Sequence, residues 1–275
     1  RTIGNIDNIC ASSHEFLSAI GIWGEILTEA TPLKTMRLVD DQSTTDEPIE
    51  VQFNPTEVHT ETQDQSIDAF GYNVSNALLT DALMKRLHAL EIPMHTAKVV
   101  GLDQGSDKIT LRCSDGSSEG LKLSASLVIA ADGANSTVRS LARIPIEEQQ
   151  FDQLALTLVV SHEKPHDNIS TEFQKAHGPL TLVPLEGHMS SVVWSHRKQR
   201  AVEMLSLSTE ALMSELETQT HGLLGKLSLV AGPGKFPVVS RRALSLHTKR
   251  VVLVAEAAHA LPPIGAQGLN TSLMD

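Results

Sequence analysis

Cysteine is nearly absent from the 275-residue chain: only Cys10 and Cys113 occur, far apart and in no ligand spacing. That excludes a disulfide framework and a cysteine zinc site, and it fits a reducing compartment. Long apolar runs are missing as well. The longest, such as Leu127–Ala131 and Val251–Ala255, have the length of buried strands and fall short of the roughly 18 residues needed to span a bilayer. Positive charge is scarce and scattered. The net charge is -11, and the longest basic run, "HRKQR" at 196–200, reads as a solvated turn, so nucleic acid is excluded as a partner. The 12 histidines and 33 acidic residues form no metal cluster and no Ser/His/Asp constellation, and no catalytic residue can be named. There is no internal repeat, no low-complexity tract and no secretory or transit signature.

What is present is ordinary soluble globular composition, 41% hydrophobic and 20% charged, enough for one large domain or two modest ones. The spacing of Phe16, Leu17, Ile20, Ile22, Trp23 and Ile26 predicts two short amphipathic helices broken near Gly21. "MRLVDD" and "IEVQF" read as strands in a polar stretch from Leu33 to Phe70. "NVSNALLTDALMKRLHAL" (73–90) is the clearest helix, capped by Ser75 or Asn76, with Leu78, Leu79, Ala82, Leu83, Leu87 and Leu90 on its apolar face. The period then changes to two. "AKVVGLD", "KITLRC" and "LKL" form a meander that leads into a buried strand, "SLVIAADG". From about Ile146 to Thr248 a region of different character follows, with strands at "LALTLVVS", "GPLTLVPL" and "MSSVVWS", a helix over Thr209–Thr218 and a return segment "GKFPVVSRRAL". "RVVLVA" then repeats the style of "SLVIAA". Two similar buried strands about 115 residues apart suggest one domain inserted into another.

Two Asp-Gly pairs differ in context. Asp115-Gly116 sits between two strands and reads as a hairpin turn. Asp132-Gly133 follows the unbroken run "LVIAA" and precedes a helix start in "ANSTVRSLA". An acid at the carboxyl end of a buried strand, then a glycine and a helix, is where open α/β sheets place ligands. Glycine admits a ligand to the backbone, and the acid accepts hydrogen bonds from sugar hydroxyls. Asn135 and Ser136 can cap the helix, and Arg139 meets either a phosphate or an acid. The closing stretch "VVLVAEAAHALPPIGAQGLNTSLMD" repeats the scheme with Glu256 at the strand exit. Its loop is rigid at Pro262-Pro263 and permissive at Gly265 and Gly268, and its N–H groups lie at a helix N-terminus.

With both segments in hand, the chain resembles the class A FAD-dependent aromatic hydroxylases, and within them the ubiquinone-biosynthesis hydroxylases of the 2-octaprenyl-6-methoxyphenol type. "AADGANSTVR" is similar to the family's Asp-Gly motif, and "AEAAHALPPIGAQGLN" to its second flavin motif. The opening "RTI" is similar to the arginine that follows the family's first βαβ unit. "GYNVSNALLTDALMKRL" and "GPLTLVPLEGHMSSVVWS" carry weaker likeness. The resemblance implies that Arg1 reaches the flavin, that Asp132 and Gly133 lie near the pyrophosphate and that Glu256 bonds the ribityl chain. It places Pro263 by the ring, Gly265 in the permissive loop, and the backbone of Gly268, Leu269 and Asn270 toward the pyrimidine end. His259 belongs to the motif as a structural residue. The sequence departs from the family pattern where Ala255-Glu256 replaces Gly-Asp, where Ser272 replaces a common glycine, and in having no G-x-G-x-x-G loop; "GPGK" at 232–235 lacks the spacing of one.

The implied fold is α/β: a Rossmann-like FAD/NAD(P)-binding domain lacking its N-terminal βαβ unit, with an inserted mixed β-sheet substrate domain. The expected boundaries are 1–34, 76–147 and 248–275 for the FAD domain and 35–75 and 148–247 for the substrate domain. The chain opens on Arg1 and stops at Asp275 inside a helical pattern, so a piece of a longer protein, inactive alone, is expected. The implied activity is hydroxylation of a phenolic ring of a polyprenylated ubiquinone precursor, with FAD as cofactor and NAD(P)H and O2 as co-substrates. A polyprenyl phenol implies quinone-pathway enzymes as partners and a cytoplasmic protein in peripheral contact with the inner face of the membrane, though the chain shows no basic amphipathic helix for it. Two rivals share the fold: another flavin-dependent aromatic hydroxylase or prenyl-lipid reductase, and a non-catalytic quinone-pathway interaction protein.

Overall fold

The computed structural model describes residues 6–42, 49–55, 69–117, 120–263 and 267–275. In chain order the elements are β1 (Ile6–Cys10), α1 (Ala11–Ala19), α2 (Trp23–Leu27), β2 (Thr31–Leu33), β3 (Thr35–Asp40), β4 (Ile49–Phe53), β5 (Gly71–Ser75) and α3 (Asn76–Ala89). Next come β6 (Lys98–Gln104), β7 (Ile109–Ser114), β8 (Leu121–Ala125), β9 (Val128–Ala130) and α4 (Thr137–Leu141). Then follow β10 (Ile146–His162), β11 (Ile169–Gln174), β12 (Leu180–Pro184), β13 (Met189–Arg197), α5 (Lys198–Leu205), α6 (Thr209–Gln219) and β14 (Leu227–Ala243). The chain closes with β15 (His247–Thr248), β16 (Val251–Leu253), a 3₁₀ turn at Ala255–Ala257, β17 (His259–Ala260) and α7 (Gln267–Met274).

These elements gather into two compact units, one of residues 1–86 and 151–238, the other of 87–150 and 239–275. In the first, β10, β13, β12, β11, β3 and β4 lie side by side. All neighbours are antiparallel except β11 and β3, which run parallel from Ile169↔Thr35 to Gln174↔Asp40. The sheet is therefore mixed, as expected. Leu154, Leu156, Leu158 and Val160 alternate along β10 and enter one core with Trp194 and with Ala201, Met204, Leu212 and Leu216 of α5 and α6. Helix α6 starts because the Ser208 side chain accepts the N–H of Ala211 at 3.2 Å. A smaller antiparallel sheet, β1-β5-β2, belongs to the same unit, and the Asn73 side chain on β5 donates to the Pro184 carbonyl at 2.9 Å. These ties hold 8–34 with the large sheet, so compactness draws its boundary elsewhere than the functional domains expected from the sequence.

Several local expectations hold. Two short helices flank Gly21, which takes φ +80. Ser75, rather than Asn76, caps α3, accepting from the Leu78 N–H at 3.2 Å. Asp115-Gly116 is a turn in which the Asp115 carboxylate accepts the Ser117 N–H at 2.9 Å.

Three readings are corrected. "HRKQR" is not a turn: β13 runs to Arg197 and α5 begins at Lys198. Strand β11 lies between "LALTLVVS" and "GPLTLVPL", where the sequence signalled none, because its alternation is carried by Thr171 and Phe173 rather than by aliphatic residues. "LVIAA" is not buried throughout: Val128 and Ala130 are buried, but Ile129 is 64% exposed. Val128 and Ala130 face the β6-β7-β8 meander, joining Ile109, Val251 and Leu253 in the core of the second unit. Among the described residues no helix is long and apolar enough to cross a membrane.

Truncating a fully enclosed side chain costs its transfer energy plus a cavity. Leu156→Ala should lower the unfolding free energy by about 3 kcal/mol in a denaturant titration. Ile129→Ala, at the exposed face, should change it by less than about 0.5 kcal/mol.

Candidate functional site

The second unit brings the two strand-acid-helix segments together. β9 and β16 pair in parallel, with Val128 opposite Val251 and Ala130 opposite Leu253. Both strands therefore end at the same edge, and their loops leave side by side. Gly133 takes φ +82, and among the described residues the only atom within 4 Å of a Cβ built on it is a Glu256 carboxylate oxygen at 3.9 Å. Among those residues the space over Gly133 is open. Glu256 is exposed, and among the described residues nothing donates to or pairs with its carboxylate.

Asp132 behaves differently from its sequence-based role. One of its oxygens accepts the Ser136 hydroxyl, and the other accepts the N–H groups of Thr137 and Val138 at 2.8 and 3.0 Å. Ser136 in turn accepts the N–H of Arg139 at 2.9 Å. The Asp132 side chain therefore caps α4. Partial burial alone would raise its pKa, but the Ser136, Val138 and Thr137 hydrogen bonds outweigh that and hold it below the usual carboxylate value.

Two arginines fix this loop. Arg139 is 5% exposed and donates to the Ala257 carbonyl and the Ala134 carbonyl, both at 2.8 Å. It ties the loop after β9 to the 3₁₀ turn after β16. Arg241, near the end of β14, also donates to the Ala134 carbonyl, to the Asn135 amide oxygen at 3.3 Å and to Glu148 at 2.6 Å. The sequence signals Arg139 only as part of a motif, and it gives no sign of Arg241, whose partners lie about a hundred residues away in the chain.

The second loop is closed by Asp275. Its carboxylate accepts the Ala255 N–H at 2.6 Å and bonds His259 Nε2 at 2.9 Å. His259 is thus placed as a structural residue, and Asp275 was not foreseen. Ala255, where the family has glycine, takes φ +54, a left-handed conformation that glycine adopts freely. Ser272, another departure, donates its hydroxyl to the Gly268 carbonyl within α7. Pro263 is exposed, Leu269 half-buried and Asn270 buried, while among the described residues a Cβ at Gly268 would meet nothing within 4 Å. Arg1 and Gly265 lie outside the described residues.

The donor set suits a polyhydroxylated, anionic cofactor. A free carboxylate accepts from hydroxyls, and a bare glycine admits close approach. Among the described residues no group of His, Cys, Asp and Glu is placed to hold a metal ion.

Such a pair of strand exits is the hallmark of a dinucleotide-cofactor protein, and comparison with known families settles which kind. Residues 8–275 match the FAD binding domain, and the chain belongs to that family. Its relatives narrow the kinship further. The chain is 30% identical to ubiquinone hydroxylase UbiL of Rhodospirillum rubrum over 274 residues, 99% of this chain and 60% of that protein. It is 28% identical to 3-demethoxyubiquinol 3-hydroxylase of Escherichia coli over 98% of this chain and 66% of that one. The chain thus spans three-fifths to two-thirds of the length of these two relatives. The crystal structure of p-nitrophenol 4-monooxygenase PnpA from Pseudomonas putida shares the fold, with a TM-score of 0.74 at 18% identity over 98% of this chain and 66% of that one.

Removing the Asp132 cap should cost about 1 kcal/mol in Asp132→Ala. Because the folded pKa is lowered, that contribution is complete above the unfolded value and disappears as pH falls through the folded one. Urea titrations should therefore show a constant gap between wild type and variant from neutral pH to about pH 5, closing below about pH 4.

Proposed function

We propose that the whole protein is an FAD-dependent monooxygenase that hydroxylates a phenolic ring of a polyprenylated ubiquinone precursor, using NAD(P)H and O2. The observation that carries the reading is the unpartnered Glu256 carboxylate beside open Gly133, at the shared exit of two parallel strands. The chain's kinship with the ubiquinone hydroxylases points to the substrate class. On this reading 1–34, 76–147 and 248–275 hold the cofactor, and 35–75 and 148–247 wall the substrate.

When bound, FAD supplies the redox chemistry between NAD(P)H and O2. The chain's residues bind and orient. Glu256 accepts hydrogen bonds from the ribityl hydroxyls, and Gly133 admits the cofactor to the backbone. The N–H groups of Gly268, Leu269 and Asn270 at the start of α7 would favour negative charge on a bound flavin, and Arg1, Pro263 and Gly265 are the remaining residues that would hold it. Arg139, Arg241 and Asp275 act through the loops they hold. A polyprenyl substrate also calls for peripheral contact with the membrane face and for exchange with other quinone-pathway enzymes.

The test is the visible absorbance of the full-length protein after incubation with FAD and desalting. A retained flavin spectrum is expected, with NAD(P)H oxidation that depends on a prenyl phenol presented in detergent. Glu256→Ala should weaken FAD binding about tenfold in a fluorescence titration, equivalent to one charge-assisted hydrogen bond. A folded but colourless protein would sink the enzyme reading.

A further inference from the structure

We propose that the free edge of β4 pairs with the β4 of a second copy of this chain, as an antiparallel strand couple centred on Val51. β4 stands last in the order of the large sheet, so among the described residues no strand lies along its outer side. Every second residue of such a strand turns its N–H and C=O outward, where another strand can take them up. All five residues of β4 are exposed. Ile49, Val51 and Phe53 point to one face and stay 55, 47 and 38% exposed. Across the ladder Met36 stands opposite Phe53 and Leu38 opposite Val51, so β3 widens the same apolar stripe.

Edge strands that stay single are commonly guarded by a lysine, a proline or a bulge. "IEVQF" contains neither lysine nor proline, and its pairing with β3 runs from Met36↔Phe53 to Asp40↔Ile49 without a register shift. Its one charge is Glu50, and Arg37 of β3 already meets that carboxylate at 3.2 Å. The edge therefore offers apolar surface and no unpaired charge that would keep a second copy away.

The residues of β4 also select the partner and the register. A couple about Val51 sets Ile49 against Phe53 of the other copy and Glu50 against its Gln52, so apolar meets apolar and carboxylate meets amide. The Gln52 amide already donates to Glu50 along its own strand at 2.6 Å, and across the couple the same groups face each other again. A slip of one residue would oppose the apolar face to the polar one. Centring on Glu50 would put two carboxylates directly opposite, which is destabilising. Centring on Gln52 would leave both Ile49 side chains without a partner. Only the Val51 register satisfies all five positions, and it does so because the other strand is identical.

The experiment is sedimentation velocity of the full-length protein at rising concentration. A monomer–dimer equilibrium is expected, with a dissociation constant of roughly 1–100 µM, because a five-residue couple falls below the standard interface size. Val51→Glu, an exposed change that should leave the melting temperature intact, sets two like charges face to face and should weaken association about tenfold. Mild oxidation reads the register. Val51→Cys should give a disulfide-linked dimer, since the two thiols fall directly opposite with Cα atoms about 5 Å apart, whereas Ile49→Cys, displaced along the strand, should not. The wild-type chain, with Cys10 and Cys113, is the blank. A monomer at every concentration, a dimer indifferent to Val51→Glu, or equal crosslinking of the two cysteine variants would overturn the proposal.

Discussion

A three-residue parallel ladder, Val128–Ala130 against Val251–Leu253, is the constraint from which the candidate site follows. Parallel strands cannot be joined by a tight turn, and here about 120 residues intervene, among them β10 to β13 of the large sheet. The ladder sets two loop origins side by side, and everything near the open glycine inherits its position from that register. A slip of one residue would turn the buried Val128 and Ala130 outward and put Ile129 into the meander's core. Apolar burial on one face therefore decides which carboxylate stands next to which glycine.

Three residues then convert an approximate juxtaposition into a fixed one. Buried Arg139 spans the two loops through backbone carbonyls, Arg241 shares one of those carbonyls, and Asp275 closes the second loop on itself. Carbonyl oxygens are good partners for this task, because they carry no proton to lose and their direction is set by the chain. Of the two strand-exit acids, Asp132 is engaged in this internal bracing, while among the described residues Glu256 is left free.

Much of this was legible in the sequence, for identifiable reasons. Period-two runs with glycine turns revealed the meander, and the two strand-acid-helix segments revealed the site's edge. What was not legible depended on distant partners. Strand β11 hides because Thr171 and Phe173, one polar and one aromatic, do not form an aliphatic pattern. "HRKQR" looks like a solvated turn until Ala201 and Met204 are seen entering the core from the helix it begins. Asp132 and Glu256 look equivalent as sequence, since nothing local says that a Ser136 hydroxyl and two N–H groups will claim one of them. Arg241 and Asp275 have no signature at all until the fold delivers their partners.

Ala255 carries a consequence for how this segment can vary over time. An L-residue in the left-handed region costs roughly 1–2 kcal/mol, and here the short bond from its N–H to Asp275 helps to hold it. Replacing the methyl by hydrogen would release that strain but would also enlarge the conformational freedom of the unfolded chain, and the two effects oppose each other. The strain is the larger of the two, so glycine is favoured over alanine here by up to about 1 kcal/mol. A β-branched residue has no such latitude, since it would add crowding at Cβ to an already disfavoured backbone. The strand exit is open to one small step of substitution and closed to the next.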